Sequence, residues 1–184
     1  MRDMGVAGLK IDFFGGDGAS MIAYYLDLLE DAAPYGLQLN FHGATLPRGW
    51  QRTWPHLQTM EAVRGLEFAT FNQADADRTS DHVATLPFVR NVFDPMDFTP
   101  LAMVKLNDRV QRRTSAAFEL AQSVLLVSGI QHYAETADGM AQVPDYVRQF
   151  LRALPETWDD SRFIDGYPAR YAVFARNGGG RWFV

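Results

Sequence analysis

Gly8-Leu9-Lys10-Ile11-Asp12-Phe13-Phe14 is the stretch of sequence from which the fold of this chain is best inferred. Apolar residues alternate with Lys10 and Asp12, and this period-two pattern predicts a β-strand that carries both charges on one face. Gly15-Gly16-Asp17-Gly18 ends the strand, and a helical pattern follows it. Parallel α/β folds, and (β/α)8 barrels above all, place their reacting side chains at the carboxyl ends of their strands. Asp12 is therefore a candidate active-site residue, and the alternative is a Lys–Asp pair on an edge strand.

The composition is that of an ordinary globular protein, with 47% apolar and 21% charged residues among 184. The net charge of −5 disfavours nucleic acid and anionic membranes as partners. No apolar run reaches the length of a membrane span. Cysteine is absent, which excludes disulfide bonds and thiolate chemistry.

A helix and a second strand follow the first strand. The helix has apolar residues at helical spacing, namely Ile22, Tyr25, Leu26, Leu29 and Ala33, before Pro34 and Gly36 end it. Residues 37–42 then alternate apolar side chains with glutamine, asparagine and histidine. This strand–helix–strand spacing predicts two parallel strands, so His42 should lie at the same end of the sheet as Asp12.

The rest of the chain shows weaker patterns. Strands near 62–68, 89–94 and 125–130 are predicted to join those at 9–14 and 37–42 in one parallel sheet. Residues 72–80 are polar and predict a loop, whereas helices are predicted around Ala117–Val124 and from Pro144 to Leu154. After Trp158 the alternating segment Arg170–Arg176, a glycine turn and Arg181–Val184 predict a β-hairpin.

Five strands with intervening helices, followed by sequence of β character alone, predict an α/β protein. Its architecture should be the C-terminal portion of a (β/α)8 TIM barrel followed by the start of a β-sandwich. The abrupt first strand and the hairpin that ends on the last residue both suggest that the chain is cut from something longer. The alternative is a complete, small flavodoxin-like domain.

Carboxylates near predicted strand ends are the main candidates for chemistry. They are Asp12, Glu61, Glu67 and Asp97, with Lys10 and His42 beside them. Paired carboxylates at a barrel mouth are what glycoside hydrolysis needs, although each of them alone is as well explained by a solvated or capping role. The sequence lacks a zinc motif, a dinucleotide fingerprint and a serine elbow, which disfavours those chemistries.

Several motifs in order resemble glycoside hydrolase family 97. They are Gly8–Phe14, Asn40–Ala44 with Pro47–Gly49 and Arg52–Pro55, Glu61–Glu67, Leu86–Asn91 and Pro95–Pro100, and the tail Ala153–Asp160 with Ile164–Pro168 resembles the passage from barrel to C-terminal β-domain. The resemblance implies that residues 1–155 are a partial catalytic barrel from about strand 4 to strand 8. Residues 156–184 would begin the C-terminal β-sandwich domain.

The resemblance also implies roles for individual residues. Asp12 matches the nucleophile of the retaining branch, whereas Gly43 stands where the inverting branch has its glutamate base. Glu67 matches the proton donor, and Lys10 and His42 match positions that contact the sugar. Glu61 matches a ligand of Ca²⁺, and we expect Glu67 at this metal as well, with further ligands from outside the chain.

The expected function is that of a glycoside hydrolase that cleaves terminal α-linked galactose by a retaining double displacement. The alternatives are an α-glucosidase of the same family, acting on oligosaccharides with terminal α-glucose, and a non-catalytic carbohydrate-binding remnant. The family resemblance implies a periplasmic or secreted location. Because part of a barrel exposes strand edges, we expect the isolated chain to be inactive and to self-associate.

Overall fold

The structure, a computed structural model, describes residues 2–184. It divides into two compact units, each with its own β-sheet. The first unit holds the residues up to Val63 together with Asp94–Asp97 and Ser128–Ile130. The second unit holds Arg64–Phe93, Phe98–Val127 and Gln131–Val184.

The first unit is built on three parallel strands that are neighbours in chain order. The strands are β1 (Gly8–Ile11), β2 (Gln38–Phe41) and β3 (Leu57–Met60), and helix α1 (Ala19–Ala32) connects β1 to β2. Short 3-10 helices occupy Arg2–Met4, Ala33–Tyr35 and Trp50–Arg52. The predicted βα unit is confirmed, and Gly36, which follows the 3-10 helix after α1, has a left-handed φ of 61° that lets the chain turn into β2.

Helix α1 packs its apolar stripe on the sheet. Tyr25 and Leu29 are fully buried against Leu39 and Phe41 of β2, and burial of each such side chain contributes about 1.5–3 kcal/mol. The Tyr25 ring stacks on Phe14 at a centroid distance of 4.0 Å, and its hydroxyl accepts a hydrogen bond from the Thr45 backbone N–H at 2.9 Å. Burial raises the pKa of the Tyr25 hydroxyl. This aromatic contact holds the chain in place just after Asp12.

The second unit combines short helices with an antiparallel sheet. The helices are α2 (Gln73–Asp77), α3 (Thr79–Thr85), α4 (Ala116–Leu125), α5 (Ala137–Gln142) and α6 (Asp145–Ala153), with 3-10 helices at Leu66–Thr70, Leu86–Phe88 and Arg90–Val92. The strands β4 (Asp160–Tyr167), β5 (Tyr171–Gly178) and β6 (Arg181–Phe183) pair in that order. The predicted helices and hairpin are confirmed. No helix within residues 2–184 is long and apolar enough to span a membrane.

Three predicted strands are wrong. Residues 62–68 form a turn, with Ala62 at a φ of 40°, and then enter the 3-10 helix that begins at Leu66, because a strand is a poor place for the two charges of this segment, Arg64 and Glu67. Residues 89–94 lie in and around a 3-10 helix, where the nearby Pro87 lacks the N–H of a ladder residue. A single parallel bridge between Met60 and Met96 is the pairing found near that segment.

The last predicted strand, at 125–130, also fails to form. Helix α4 continues to Leu125, and Ser128–Ile130 packs on β3 without joining its ladder. A side chain at Gly129 would collide with the backbone carbonyl oxygen of Gln58, so the contact is close but not that of paired strands. The loop predicted at 72–80 is wrong as well, because Asn72 caps α2 by accepting the Asp75 N–H at 3.0 Å.

Candidate active site

Asp12 lies directly beyond the last residue of β1, at the carboxyl end of the parallel sheet. Its Oδ1 accepts a hydrogen bond from the backbone N–H of Phe13 at 2.6 Å. Phe13 has a left-handed φ of 67° and a side chain that is 93% exposed. Left-handed backbone is uncommon for a residue with a bulky side chain, and such strain concentrates at functional sites. The turn therefore holds one oxygen of the Asp12 carboxylate in a fixed orientation.

Gly43 comes two residues after the end of β2 and faces Asp12. It has a left-handed φ of 54°, and a Cβ added there would lie 2.8 Å from Asp12 Oδ1 and 3.1 Å from the Phe13 nitrogen. The Gly43 N–H donates to Glu61 Oε2 at 2.7 Å. In this arrangement a side chain at position 43 and the Asp12 carboxylate compete for the same space.

His42 is buried among carboxylates, and both of its ring nitrogens face them. Nδ1 lies 3.4 Å from Glu61 Oε2 and 3.9 Å from Asp12 Oδ2. Nε2 lies 3.3 Å from Asp97 Oδ2, which is an ion-pair distance without the alignment of a hydrogen bond. His42 thus connects the carboxylates at the ends of β1 and β3.

Lys10 points to Asp97. Its Nζ lies 3.3 Å from Asp97 Oδ2, whereas the alternation along the predicted strand puts Lys10 on the same face as Asp12. Asp97 is 1% exposed, and it also accepts a hydrogen bond from Asn40 Nδ2 at 2.6 Å. The Asp97 N–H donates to the Met60 carbonyl oxygen at 3.1 Å, which fixes it at the end of β3.

The first unit therefore brings together four of the five predicted site residues: Lys10, Asp12, His42 and Glu61. Glu67 belongs to the second unit, where it is exposed in the first turn of the 3-10 helix Leu66–Thr70. Its carbonyl oxygen accepts the Thr70 hydroxyl at 2.7 Å. The approach of Glu67 to Asp12 stays a prediction of the sequence.

Two further residues of this region were missed by the assignment of roles from sequence. Asn40 alternates with His42 along β2, so the period-two pattern already placed it on the same face. The alternation predicts that Phe13 is an apolar residue of the strand, whereas β1 ends at Ile11 and the ring is exposed. The glycine-rich segment that follows was the signal that the strand ends early.

The two residues for which the family resemblance implies a Ca²⁺ ion, Glu61 and Glu67, both carry oxygen donors. Glu61 is a buried carboxylate in the first unit and Glu67 a carboxylate in the second, and calcium prefers oxygen ligands of this kind. Glu61 Oε2 is also held by the Gly43 N–H, so its orientation is set by the backbone. Because calcium takes about six to eight oxygen ligands, these two glutamates supply only a part of its shell.

Comparison with known proteins shows which family this chain resembles. The family profile for Glycoside hydrolase 97 matches residues 1–63, which contain β1, β2 and β3. A probable retaining alpha-galactosidase of Streptomyces bingchenggensis is 44% identical over 182 residues, or 98% of this chain. A retaining alpha-galactosidase of Bacteroides thetaiotaomicron is 31% identical over 190 residues, or 99% of this chain.

The chain belongs to glycoside hydrolase family 97. Solved structures agree: a beta-arabinopyranosidase superposes with a TM-score of 0.93 at 41% identity and covers 98% of the chain. A family 97 enzyme in complex with acarbose, from Pseudoalteromonas sp., superposes with a TM-score of 0.79 at 31% identity and covers 90% of it. The matches support a C-terminal region of family 97 proteins.

This family 97 chain is short beside its relatives. It spans 27% and 28% of the length of the two curated galactosidases. It spans 30% and 26% of the two solved structures.

Proposed function

We propose that this chain carries the nucleophile and the acid/base residue of a retaining α-galactosidase. The observation that carries the proposal is the contact between Gly43 and Asp12: position 43 has no room for a glutamate base while the Asp12 carboxylate lies where it does. A water-activating carboxylate at position 43 is thereby disfavoured, and Asp12 is left as the residue that attacks the sugar. The names of two curated relatives, both retaining alpha-galactosidases, support the same assignment.

Two displacements at the anomeric carbon complete the reaction. In the first, an Asp12 oxygen bonds to C1 while the bond from C1 to the leaving oxygen breaks and Glu67 gives that oxygen its proton. In the second, Glu67 takes a proton from water, the water oxygen bonds to C1, and the ester bond to Asp12 breaks. Retention requires the two carboxyl groups to lie about 5–5.5 Å apart, against roughly 6.5–9.5 Å for inversion.

The backbone supports one oxygen of the nucleophile. The Phe13 N–H occupies Oδ1, while Oδ2 lies nearer His42, so we assign the attack to Oδ2. Lys10 and His42 would bind hydroxyl groups of the sugar, because both are held at the same end of the sheet. Catalysis in the full protein also needs the parts of the barrel outside this chain, to which the consecutive parallel order of β1, β2 and β3 is suited.

A second sugar is a reasonable substrate on chemical grounds. A β-L-arabinopyranoside has the ring configuration of an α-D-galactopyranoside and lacks only the hydroxymethyl group at C5. The solved neighbour with a TM-score of 0.93 is a beta-arabinopyranosidase. An α-glucoside differs from an α-galactoside by inversion at C4. A family 97 neighbour that is 31% identical to this chain was solved in complex with panose. Measuring kcat/KM for the aryl α-galactoside, β-L-arabinopyranoside and α-glucoside would rank these three sugars as substrates.

We further propose that calcium binds Glu61 and Glu67, where it would supply positive charge beside the substrate. Equilibrium dialysis of the chelator-treated full-length protein measures this binding directly. Binding that survives Glu61→Gln unchanged would remove Glu61 from the site.

The test of the proposed function uses the full-length gene product. Wild-type enzyme acting on aryl α-galactoside should release the α-anomer of galactose first, as monitored by NMR. Asp12→Gly should lower turnover by about 10⁴-fold or more, because the nucleophile is lost. Azide should then restore part of the turnover of the activated substrate and yield a β-galactosyl azide.

Asp17→Gly is the matched control. Asp17 lies in the exposed glycine-rich segment after β1, and its ion-pair partner is Arg48 at 3.5 Å. This control should retain activity near that of the wild type. Release of the β-anomer first, or an Asp12→Gly enzyme that azide does not help, would exclude Asp12 as the nucleophile.

A further inference from the structure

Asp97 is the residue on which three side chains of the candidate active site converge. One of its oxygens, Oδ2, lies 3.3 Å from Lys10 Nζ, 3.3 Å from His42 Nε2 and 2.6 Å from Asn40 Nδ2. These partners come from β1, from β2 and from the residue just beyond β2. A single buried oxygen thus connects the ends of two strands.

The burial of Asp97 makes this convergence energetically significant. The carboxylate is 1% exposed, and a buried charge is strongly unfavourable unless it is paired and hydrogen-bonded. The Lys10 ammonium and the Asn40 amide meet that requirement, and the backbone bond from the Asp97 N–H to Met60 fixes the position of the acceptor. Lys10 is 40% exposed, so without Asp97 its flexible chain would be free to extend toward solvent.

We propose that Asp97 is a positioning residue, which orients Lys10 and His42 toward the sugar bound beside Asp12. The inference rests on the proposed function, since it assigns sugar contacts to Lys10 and His42. Asp97 itself is too deeply buried to touch the substrate, and it acts through the two side chains that it holds. A displaced Lys10 or His42 would lower the rate because an error of about 1 Å in a positioning group costs as much as 10²-fold.

Asp97→Asn in the full-length enzyme tests the proposal, because asparagine keeps the shape of the side chain and removes its charge. We expect kcat/KM for aryl α-galactoside to fall by about 10²-fold, mainly in kcat, with rates normalised to folded enzyme by the amplitude of thermal unfolding. Asp94→Asn is the matched control. Asp94 is a buried carboxylate of the same segment, and the Gln51 amide donates a hydrogen bond to it. The kcat/KM of the Asp94→Asn control should stay within about threefold of the wild-type value.

A double-mutant cycle with Lys10→Gln separates positioning from general stability. If Asp97 acts through Lys10, the double variant should be no slower than the slower single variant, within about threefold. If Asp97 only stabilises the fold, the two effects should multiply. Multiplied effects would overturn the proposal, and so would equal losses in the Asp94 and Asp97 variants.

Failure of the nucleophile assignment and failure of the proposed role of Asp97 give different results. The cycle is measured on whichever aryl glycoside the enzyme hydrolyses, and it gives the same answer whichever carboxylate attacks C1. Rescue of Asp12→Gly by azide together with multiplied effects in the cycle would reject the role of Asp97 alone. Absence of rescue together with a non-additive cycle would reject Asp12 as the nucleophile and leave the role of Asp97 in place.

Discussion

Both units bury charged side chains, but the partners of those charges differ. In the first unit Asp97 meets the side chains of Lys10, Asn40 and His42. In the second unit the guanidinium of Arg176 donates to two backbone carbonyl oxygens and to the Ser161 hydroxyl, and the carboxyl of Glu119 accepts from the Ala102 backbone N–H and from the Thr114 hydroxyl. Ionisable side chains that converge at strand ends form a candidate site, whereas the buried charges of the second unit, which meet backbone groups and neutral hydroxyls, hold elements of the fold together.

The comparison also shows why a perturbed pKa alone is a poor guide to function here. Burial raises the pKa of Glu119 and lowers that of Arg176, although both act within the architecture of the second unit. Structural charges and catalytic charges are perturbed by the same physics. The identity of the partners distinguishes the two units better than the direction of a shift does.

Among glycine substitutions and changes to the second unit, Gly43→Ala should produce the largest effect, which is a loss of activity. The new Cβ would lie 2.8 Å from Asp12 Oδ1, so the carboxylate must move from the position in which Phe13 holds it. Because such displacements reduce rates by as much as 10²-fold, we expect a loss of that order in kcat/KM of the full-length enzyme. The added left-handed strain should lower the free energy of unfolding by about 1–2 kcal/mol.

Gly49→Ala separates strain from the contact with Asp12. Gly49 is also left-handed, with a φ of 76°, and a Cβ there would meet nothing within 4 Å. Both variants should lose similar stability, and only Gly43→Ala should lose activity. Equal activity in the two variants would mean that the space between position 43 and Asp12 is not needed for catalysis.

Arg176→Met should have the next largest effect, on stability. Arg176 donates to the Val124 and Leu125 carbonyl oxygens at 2.7 and 2.8 Å, at the C-terminus of α4, and to Ser161 Oγ at 2.6 Å. Methionine fills much of the volume but leaves these acceptors without their donor, which should cost about 2 kcal/mol in urea unfolding. The exposed Arg162, on β4, is the control, and Arg162→Met should change stability by less than about 1 kcal/mol.

The first βα unit was the part of the fold most predictable from sequence. Its helix has a continuous apolar stripe and a glycine end signal, and its two strands alternate cleanly. The later strands were overpredicted because short apolar runs such as 125–130 do not distinguish a strand from a helix end. The close approach of Gly129 to Gln58 depends on tertiary packing, which no local pattern reports.

The sequence predicted which residues form the candidate site better than it predicted which of their charges pair with each other. On the strand predicted at 9–14, Lys10 and Asp12 share a face, which would bring their charges together, whereas the structure pairs Lys10 with Asp97. That partner lies 87 residues further along the chain, and the bridge between Met60 and Met96 brings it to β3. A contact so distant in sequence is set by the register of the sheet and not by the period of one strand.

Glu119→Gln should have the smallest effect, which appears in the pH dependence of stability. Burial raises the pKa of Glu119 above its ordinary value of 4.5, while Thr114 and the Ala102 N–H partly oppose this. Below about pH 4.5 the carboxyl is protonated in both the folded and the unfolded chain. Above that pH the unfolded chain releases the proton first, so the folded state is progressively destabilised until the raised pKa is passed.

Glutamine cannot titrate, so the variant should lack this decline in stability as the pH rises above about 4.5. Asp145→Asn provides the opposite case, because hydrogen bonds from Arg148 and Gln149 lower the pKa of the exposed Asp145. That aspartate stabilises the fold above its unfolded pKa and loses this contribution as the pH falls, so its loss should reduce stability at neutral pH and not in acid. Melting temperatures recorded across the pH range for the wild type, Glu119→Gln and Asp145→Asn measure both effects. If the Glu119→Gln protein declined as steeply as the wild type between pH 4.5 and 7, the buried carboxyl would not be the source of the pH dependence.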